Sequence, residues 1–233
     1  YKTALCFTGL VTFIAMYHYF RIFNSFTEAY TPCKVTNGTD GVGTIDPHTC
    51  DADKYGYTPS GHPFNDAYRY VDWLLTVPLL LIEIVLVMRL PEAETTKRCT
   101  VLGISSALMI INGYPGETTA DPATRWCFWT LSMIPFCYIV YTLFIGLKDS
   151  QESQPEECRE AVKWACWATV FSWCTYPVVY TFPMLSGSTE GKSGLTANAM
   201  VAVQMGYTVS DIISKCGVGI VIYQISYAKS NKE

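Results

Sequence analysis

Charge is missing from long stretches of this chain. Six apolar blocks, Ala4 to Phe23, Tyr68 to Met88, Cys99 to Tyr114, Trp126 to Leu147, Trp164 to Leu185 and Ala199 to Ile225, cover more than half of the 233 residues. The chain has 16 Lys and Arg and 20 Asp and Glu, and only six of these charges fall inside the blocks. A hydrocarbon core of about 30 Å is crossed by roughly 20 apolar residues in a helix. Five blocks reach that length. The shorter one, Cys99 to Tyr114, is bracketed by the turn signal Gly113-Tyr114-Pro115-Gly116. None shows the dyad alternation of a membrane barrel, and backbone groups in lipid must be satisfied internally, so helices are expected. Charged residues make up 15% of the chain, against about a quarter in soluble domains. This excludes a water-soluble globule, a nucleic-acid binder and a disordered chain. Residues 1–233 read as one multi-pass, all-α membrane domain.

Orientation follows from Lys and Arg in the connections. If the first block runs outward, the inside holds Lys2, Arg89, Lys97, Arg98, Lys148, Arg159, Lys163, Lys229 and Lys232, and the outside holds Arg21, Lys34, Lys54, Arg125 and Lys192. Nine against five favours this sense. Cys6, Cys127, Cys137, Cys166, Cys174 and Cys216 lie in apolar blocks without paired spacing and read as small core hydrophobes. No metal site is expected. The outer connection from Asn24 to Asp66 contains Cys33 and Cys50, where a disulfide is chemically allowed, and the acceptor pattern Asn37-Gly38-Thr39 for glycosylation.

The chemistry lies in the charges left inside the membrane, since each is costly there unless paired or facing a polar cavity. Arg69, Asp72 and Glu83 share one block, and Asp211 and Lys215 the last. Helical geometry puts Arg69, Asp72, Thr76 and Glu83 on one face, with Glu83 about 16 Å along the axis from Asp72. Asp211 and Lys215 share a face in the same way, so two polar stripes can meet in the interior. Lys215 lies too near mid-span to snorkel. A buried lysine beside a carboxylate either pairs with it or forms an imine with a carbonyl ligand. Glu83 is flanked by Leu79-Leu80-Leu81-Ile82 and Ile84-Val85-Leu86-Val87, surroundings that favour its neutral form.

Arg69-Tyr70-Val71-Asp72-Trp73-Leu74-Leu75-Thr76-Val77-Pro78 resembles the third helix of microbial rhodopsins, Trp173-Cys174-Thr175-Tyr176-Pro177 the sixth, and Ser210-Asp211-Ile212-Ile213-Ser214-Lys215 the retinal-bearing seventh. Within that superfamily, His18 in Tyr17-His18-Tyr19-Phe20-Arg21 and the stretch Gly113-Tyr114-Pro115-Gly116-Glu117 are similar to the proteorhodopsin and xanthorhodopsin group. The resemblance implies a seven-helix bundle of which six helices, the second to the seventh, are recognisable here. It places the first helix outside this sequence.

The resemblance further implies a light-driven outward proton pump, not an enzyme, with all-trans retinal bound as a protonated Schiff base on Lys215. Asp72 would be counter-ion and proton acceptor, Asp211 the second counter-ion, Arg69 the holder of the outward network and Glu83 the inward proton donor. Thr76 would hydrogen-bond near Asp72, and His18 would sit against it. Trp73, Leu80, Trp173, Tyr176, Pro177 and Tyr207 would line the polyene. The Asp72, Thr76, Glu83 triplet differs from chloride and sodium pumps, so protons are the expected cargo, and Leu80 predicts green absorption. At Trp129, in Phe128-Trp129-Thr130-Leu131-Ser132, carotenoid-binding relatives have a glycine, so retinal alone is expected. A photosensory receptor signalling through a partner would share Lys215 and Asp72, but often lacks an acid at the Glu83 place. A homo-oligomer is open. Glu117 and Glu190 read as surface loop acids, leaving the outward release group unassigned.

Overall fold

In the computed structural model, described for residues 2–32, 35–37, 43–45, 57–88, 90–119, 121–146, 148, 152, 156–185 and 197–230, the apolar blocks form six helical rods. They are α1 (Lys2–Ala29), α2 (Ala67–Val87), α3 (Glu92–Glu117), α4 (Pro122–Tyr141), α5 (Glu156–Leu185) and a last rod made of α6 (Ala197–Asp211), a π-helical segment (Ile212–Gly217) and α7 (Val218–Ser230). A second π segment, Thr142–Gly146, prolongs α4. Neighbours in sequence pack side by side, α5 meets both α4 and the last rod, and α7 returns to α1, so the rods close a ring. Five spans are long and apolar enough to cross a bilayer: Thr3–Ala29, Ala67–Val87, Glu92–Glu117, Pro122–Ile145 and Met200–Ala228. The 30-residue α5 is not among them, because its Trp, Tyr, Ser and Thr lower its mean hydropathy.

The bundle exposes large apolar side chains and buries its central ionisable residues. Phe13, Phe20, Phe171 and Trp164 are exposed, whereas Arg69, Asp72, Thr76, Glu83, Asp211 and Lys215 are all buried. That distribution suits a lipid solvent, which makes no demand for a polar exterior. Between these charges lies an aliphatic core around Leu80, Leu81, Ile84, Val85, Ile139, Leu143, Ile222 and Ile225.

One local expectation is corrected. The stretch Gly113-Tyr114-Pro115-Gly116 is not a turn: α3 runs through it to Glu117 and is thus long enough to span. Pro115 removes one backbone donor, a loss that transmembrane helices tolerate. Gly116 is used for close approach instead, whereas a Cβ at Gly113 would find ordinary contact. A Cβ at Gly113 would lie 3.4 Å from the Tyr70 ring, and one at Gly116 would overlap the Tyr180 hydroxyl and lie 2.9 Å from Phe128 Cβ. The turn falls later, where the Asp121 carboxylate accepts from the Thr124 N–H at 2.8 Å and Pro122 opens α4. The connection between α1 and α2 is partly ordered as strand. It carries two short antiparallel pairs, β1 (Tyr30–Pro32) with β4 (Tyr57–Pro59) and β2 (Val35–Asn37) with β3 (Gly43–Ile45). Cys33, Cys50 and Glu190, and the side chain of Asn37, lie outside the described residues.

Packing at Gly116 sets a test. Gly116→Ala should cost about 1–3 kcal/mol by overpacking. Gly9→Ala, with nothing within 4 Å of the new methyl, should leave stability unchanged or raised. Thermal unfolding in detergent micelles, followed by circular dichroism, reads both.

Candidate functional site

The last rod is wound to deliver Lys215. Its α-helix ends at Asp211, and the next six residues follow π geometry, a one-turn widening often found at functional positions. Lys215 Nζ then sits between two carboxylates, 2.5 Å from Asp72 Oδ2 and 3.1 Å from Asp211 Oδ1. All three side chains are at most 4% exposed. A charge so deep must be compensated, and the two stripes expected from α2 and the last rod do meet here.

The two acids are equipped differently. Asp211 accepts from the Tyr19 hydroxyl at 2.7 Å, the Tyr176 hydroxyl at 2.6 Å and Trp73 Nε1 at 3.0 Å, and it pairs with Arg69 Nη1 at 3.4 Å. Asp72 receives Lys215 through Oδ2, while its buried Oδ1 has no hydrogen-bond partner. The Thr76 hydroxyl donates to the Asp72 backbone carbonyl at 2.8 Å and so does not serve the carboxylate. His18 is buried on α1, close enough to act electrostatically on Asp72, and its Nδ1 has no hydrogen-bond partner.

Beyond Lys215 an apolar cavity runs between α2, α3, α4, α5 and the last rod. Trp73, Leu80, Trp173, Tyr176, Pro177 and Tyr207, the residues that the resemblance places around a polyene, line it with Lys215, and Tyr70, Met109, Ile110, Gly113, Trp129 and Phe136 complete the wall. Trp73 is held edge-on by Tyr176 and Tyr207, with ring centroids 5.1 and 5.0 Å away. Trp129 Nε1 donates to the Pro177 carbonyl at 3.2 Å, which fixes the indole in that wall.

Glu83 is separate, fully buried toward the C-terminal end of α2. The Thr8 hydroxyl of α1 donates to its Oε1, and Oε2 has no hydrogen-bond partner. Nothing in the sequence pattern marked Thr8.

The expectation for Glu117 is corrected. Glu117 is no surface acid: its side chain is 2% exposed, its Oε2 accepts from Tyr70 at 3.3 Å and Tyr207 at 3.2 Å, and Arg125 lies 3.6 Å from its Oε1. Arg125, assigned by sequence to the outer connection, is likewise buried, with its Nη1 on the Glu117 and Thr119 carbonyls. The cause is the continuation of α3 through Gly116, which packs closely against Phe128 and Arg125 of α4. Gln204 was also missed, although it lies seven residues before Asp211 and so shares its face. Its Oε1 accepts from Arg69 Nε and Nη2, and its Nε2 donates to Asp66 Oδ1 at 3.3 Å. Burial, reinforced by the Glu117 carboxylate, pushes Asp66 up to about 7.

A family model for bacteriorhodopsin-like proteins matches residues 1–228. The chain is 26% identical over 232 residues to a green-light absorbing proteorhodopsin from Gamma-proteobacterium EBAC31A08, covering 99% of this chain and 76% of that protein. It is 33% identical over 172 residues to bacteriorhodopsin of Halobacterium salinarum, covering 72% of this chain and 61% of that one. Among solved structures, xanthorhodopsin, described as a light-driven ion pump with dual chromophore, superposes with a TM-score of 0.80 at 40% identity, covering 100% of this chain and 82% of that one. Thermophilic rhodopsin gives 0.78 at 36% identity, covering 99% and 82%.

The Lys215 cluster carries its own test. Lys215→Met leaves two buried carboxylates with one cation fewer and should lower stability by about 3–5 kcal/mol. Adding Asp72→Asn should restore part of that loss. Denaturant unfolding in mixed micelles measures both variants, and equal stability of the single and double variants would refute the coupling.

Proposed function

The chain belongs to the bacteriorhodopsin-like family, and on that premise we propose that it is a light-driven outward proton pump carrying all-trans retinal on Lys215. The residues fit such a group. An apolar cavity has one lysine amine in its lining, and glycine at position 113 forms part of its wall beside Tyr70 and Ser132. Joined to Lys215 as a protonated Schiff base, the retinal supplies light absorption and a change of shape that alters the proton affinity at Nζ. Trp73, Leu80, Trp173, Tyr176, Pro177 and Tyr207 hold it, and the Trp129 indole fills the place where a carotenoid antenna would need an opening.

The observation that carries the reading is the inequality of the two acids. Asp211 has donors from Tyr19, Trp73, Tyr176 and Arg69 in addition to Lys215, so its negative charge is fixed. Asp72 has one donor and one unpartnered oxygen, so it is the base that takes the proton from Nζ, 2.5 Å away. His18 stands beside it to adjust that affinity. Glu83, in its aliphatic surroundings and held by Thr8, stores a proton on the inner side and returns it to Nζ. The distance of about 16 Å along α2 keeps the acceptor and the donor from exchanging protons directly. Carboxylates at 72 and 83 make protons the cargo, and Leu80 in the cavity wall sets absorption in the green.

Adding all-trans retinal to the expressed apoprotein should give a visible green band that Lys215→Ala abolishes. Illuminated cells should then acidify their medium, with a protonophore cancelling the change. A band without acidification would make the protein a photosensor, and no band would end the rhodopsin reading.

Glu83→Gln should slow the return of the proton to Lys215 by roughly a hundredfold, with Asp72 protonation little changed. Flash spectroscopy in the visible measures both phases, and added azide, a mobile proton carrier, should recover much of the lost rate.

A further inference from the structure

The rod that bears Lys215 also touches the group that holds Glu83. Among the described residues Glu83 takes its side-chain hydrogen bond from Thr8 of α1, whose hydroxyl donates to Oε1, while Oε2 has no partner. Ala4 and Val11 of α1, Leu81 and Ile84 of α2, and Val218 and Ile222 of α7 belong to one aliphatic core, so the three elements close together at this depth. With no polar neighbour to replace it, the direction in which the Thr8 hydroxyl points decides whether Glu83 has a donor.

That direction is set from α7. Gly219, buried, is the second residue of α7 and stands four residues beyond Lys215. A Cβ at Gly219 would come within 2.9 Å of the Thr8 methyl Cγ2, well inside the 3.5–4.0 Å or so at which carbon atoms pack. The methyl and the hydroxyl of Thr8 branch from the same carbon, and a threonine in a helix has two usable rotamers. Rotation that takes the methyl away from α7 therefore swings the hydroxyl away from Glu83, and parting α1 from α7 shifts the hydroxyl together with its helix. The requirement is specific to this position: a Cβ at Gly217, on the same rod, or at Gly9, next to Thr8, would meet nothing within 4 Å.

Resting on the pump reading above, we propose that Gly219 is a positioning residue for the proton donor: the empty place beside its backbone seats the Thr8 methyl against α7 and so aims the Thr8 hydroxyl at Glu83. Gly219 takes no part in the proton step itself. In that step the O–H bond of Glu83 breaks, an N–H bond forms at Lys215 Nζ, and the electron pair stays on the carboxylate, whose Oε1 faces the Thr8 hydroxyl. The rod that carries the proton's destination thus also adjusts the proton affinity of its source, through one methyl contact.

The test uses the full chain with retinal in lipid vesicles, followed by flash spectroscopy in the visible and by infrared difference spectra. The carbonyl stretch of protonated Glu83, identified by its loss in Glu83→Gln, should move to higher wavenumber in Gly219→Ala because Oε1 loses its donor. The return of the proton to Lys215 should depart from the wild-type rate by roughly threefold to tenfold, the scale of one hydrogen bond. Thr8→Ser removes the methyl and keeps the hydroxyl, so combining it with Gly219→Ala should bring the band back and the rate to within about twofold of Thr8→Ser alone. Gly9→Ala should leave band and rate unchanged. A Gly219→Ala protein that matches the wild type in both overturns this proposal alone, as does a change that Thr8→Ser fails to reverse, which marks a general packing defect. If Gly219→Ala forms no pigment, the double variant decides: pigment regained supports the proposal, and pigment still lost overturns it. A wild type with a visible band and no loss of the Glu83 proton during the cycle overturns the pump reading together with it.

Discussion

An ammonium held between two carboxylates in the middle of a membrane bundle is the constraint around which the rest is arranged. Lys215 cannot be buried without Asp72 and Asp211, and the two acids cannot be buried together without it and Arg69. The neighbouring elements serve this arrangement. The π segment sets Lys215 to face α2, Trp73 is clamped so that its indole N–H reaches Asp211, and Tyr19 ties α1 to the same carboxylate.

The proposed pumping depends on how unevenly that compensation is shared. If both acids had full sets of donors, the cluster would be a structural ion network with no site ready to take up a proton. The unpartnered Oδ1 of Asp72 is a local deficiency that a packed core would ordinarily remove. Along α2, ionisable groups recur at Asp66, Arg69, Asp72 and Glu83, so one helix carries outer, central and inner positions. The outer half is a chain of polar side chains, whereas the inner half is aliphatic apart from Glu83 and Thr8.

The fold and the centre of the site were legible in the sequence because both rest on signals that do not need tertiary context. Apolar length gives the spans, and an i, i+3, i+4 rule gives the shared faces of Arg69, Asp72 and Thr76 and of Asp211 and Lys215. The partners contributed across helices were not legible. Tyr19, Thr8 and Trp129 belong to rows of aromatic or hydroxyl residues that look alike until a neighbour selects one of them. Glu117 and Arg125 were misplaced for a definite reason. Gly113 to Gly116 has the composition of a turn, yet in a bundle Gly116 allows a close helix crossing, and that crossing buries the charges that follow. The strands of the outer connection are too short to show periodicity.

The dry inner half of α2 has an electrical consequence. Between Asp72 and Glu83 the interior is filled by Leu80, Leu81 and their aliphatic neighbours, a layer of low permittivity, while the outward half is threaded by polar and charged groups. A transmembrane voltage falls mostly across the less polarisable layer. Moving one elementary charge through a full drop of 100 mV takes about 2.3 kcal/mol. In the proposed pump, most of that work belongs to the return of a proton from Glu83 to Lys215, and the transfer to Asp72 is nearly voltage-free. The aliphatic packing that sets Glu83 apart is, in the proposed pump, also the dielectric across which work is done against the membrane potential.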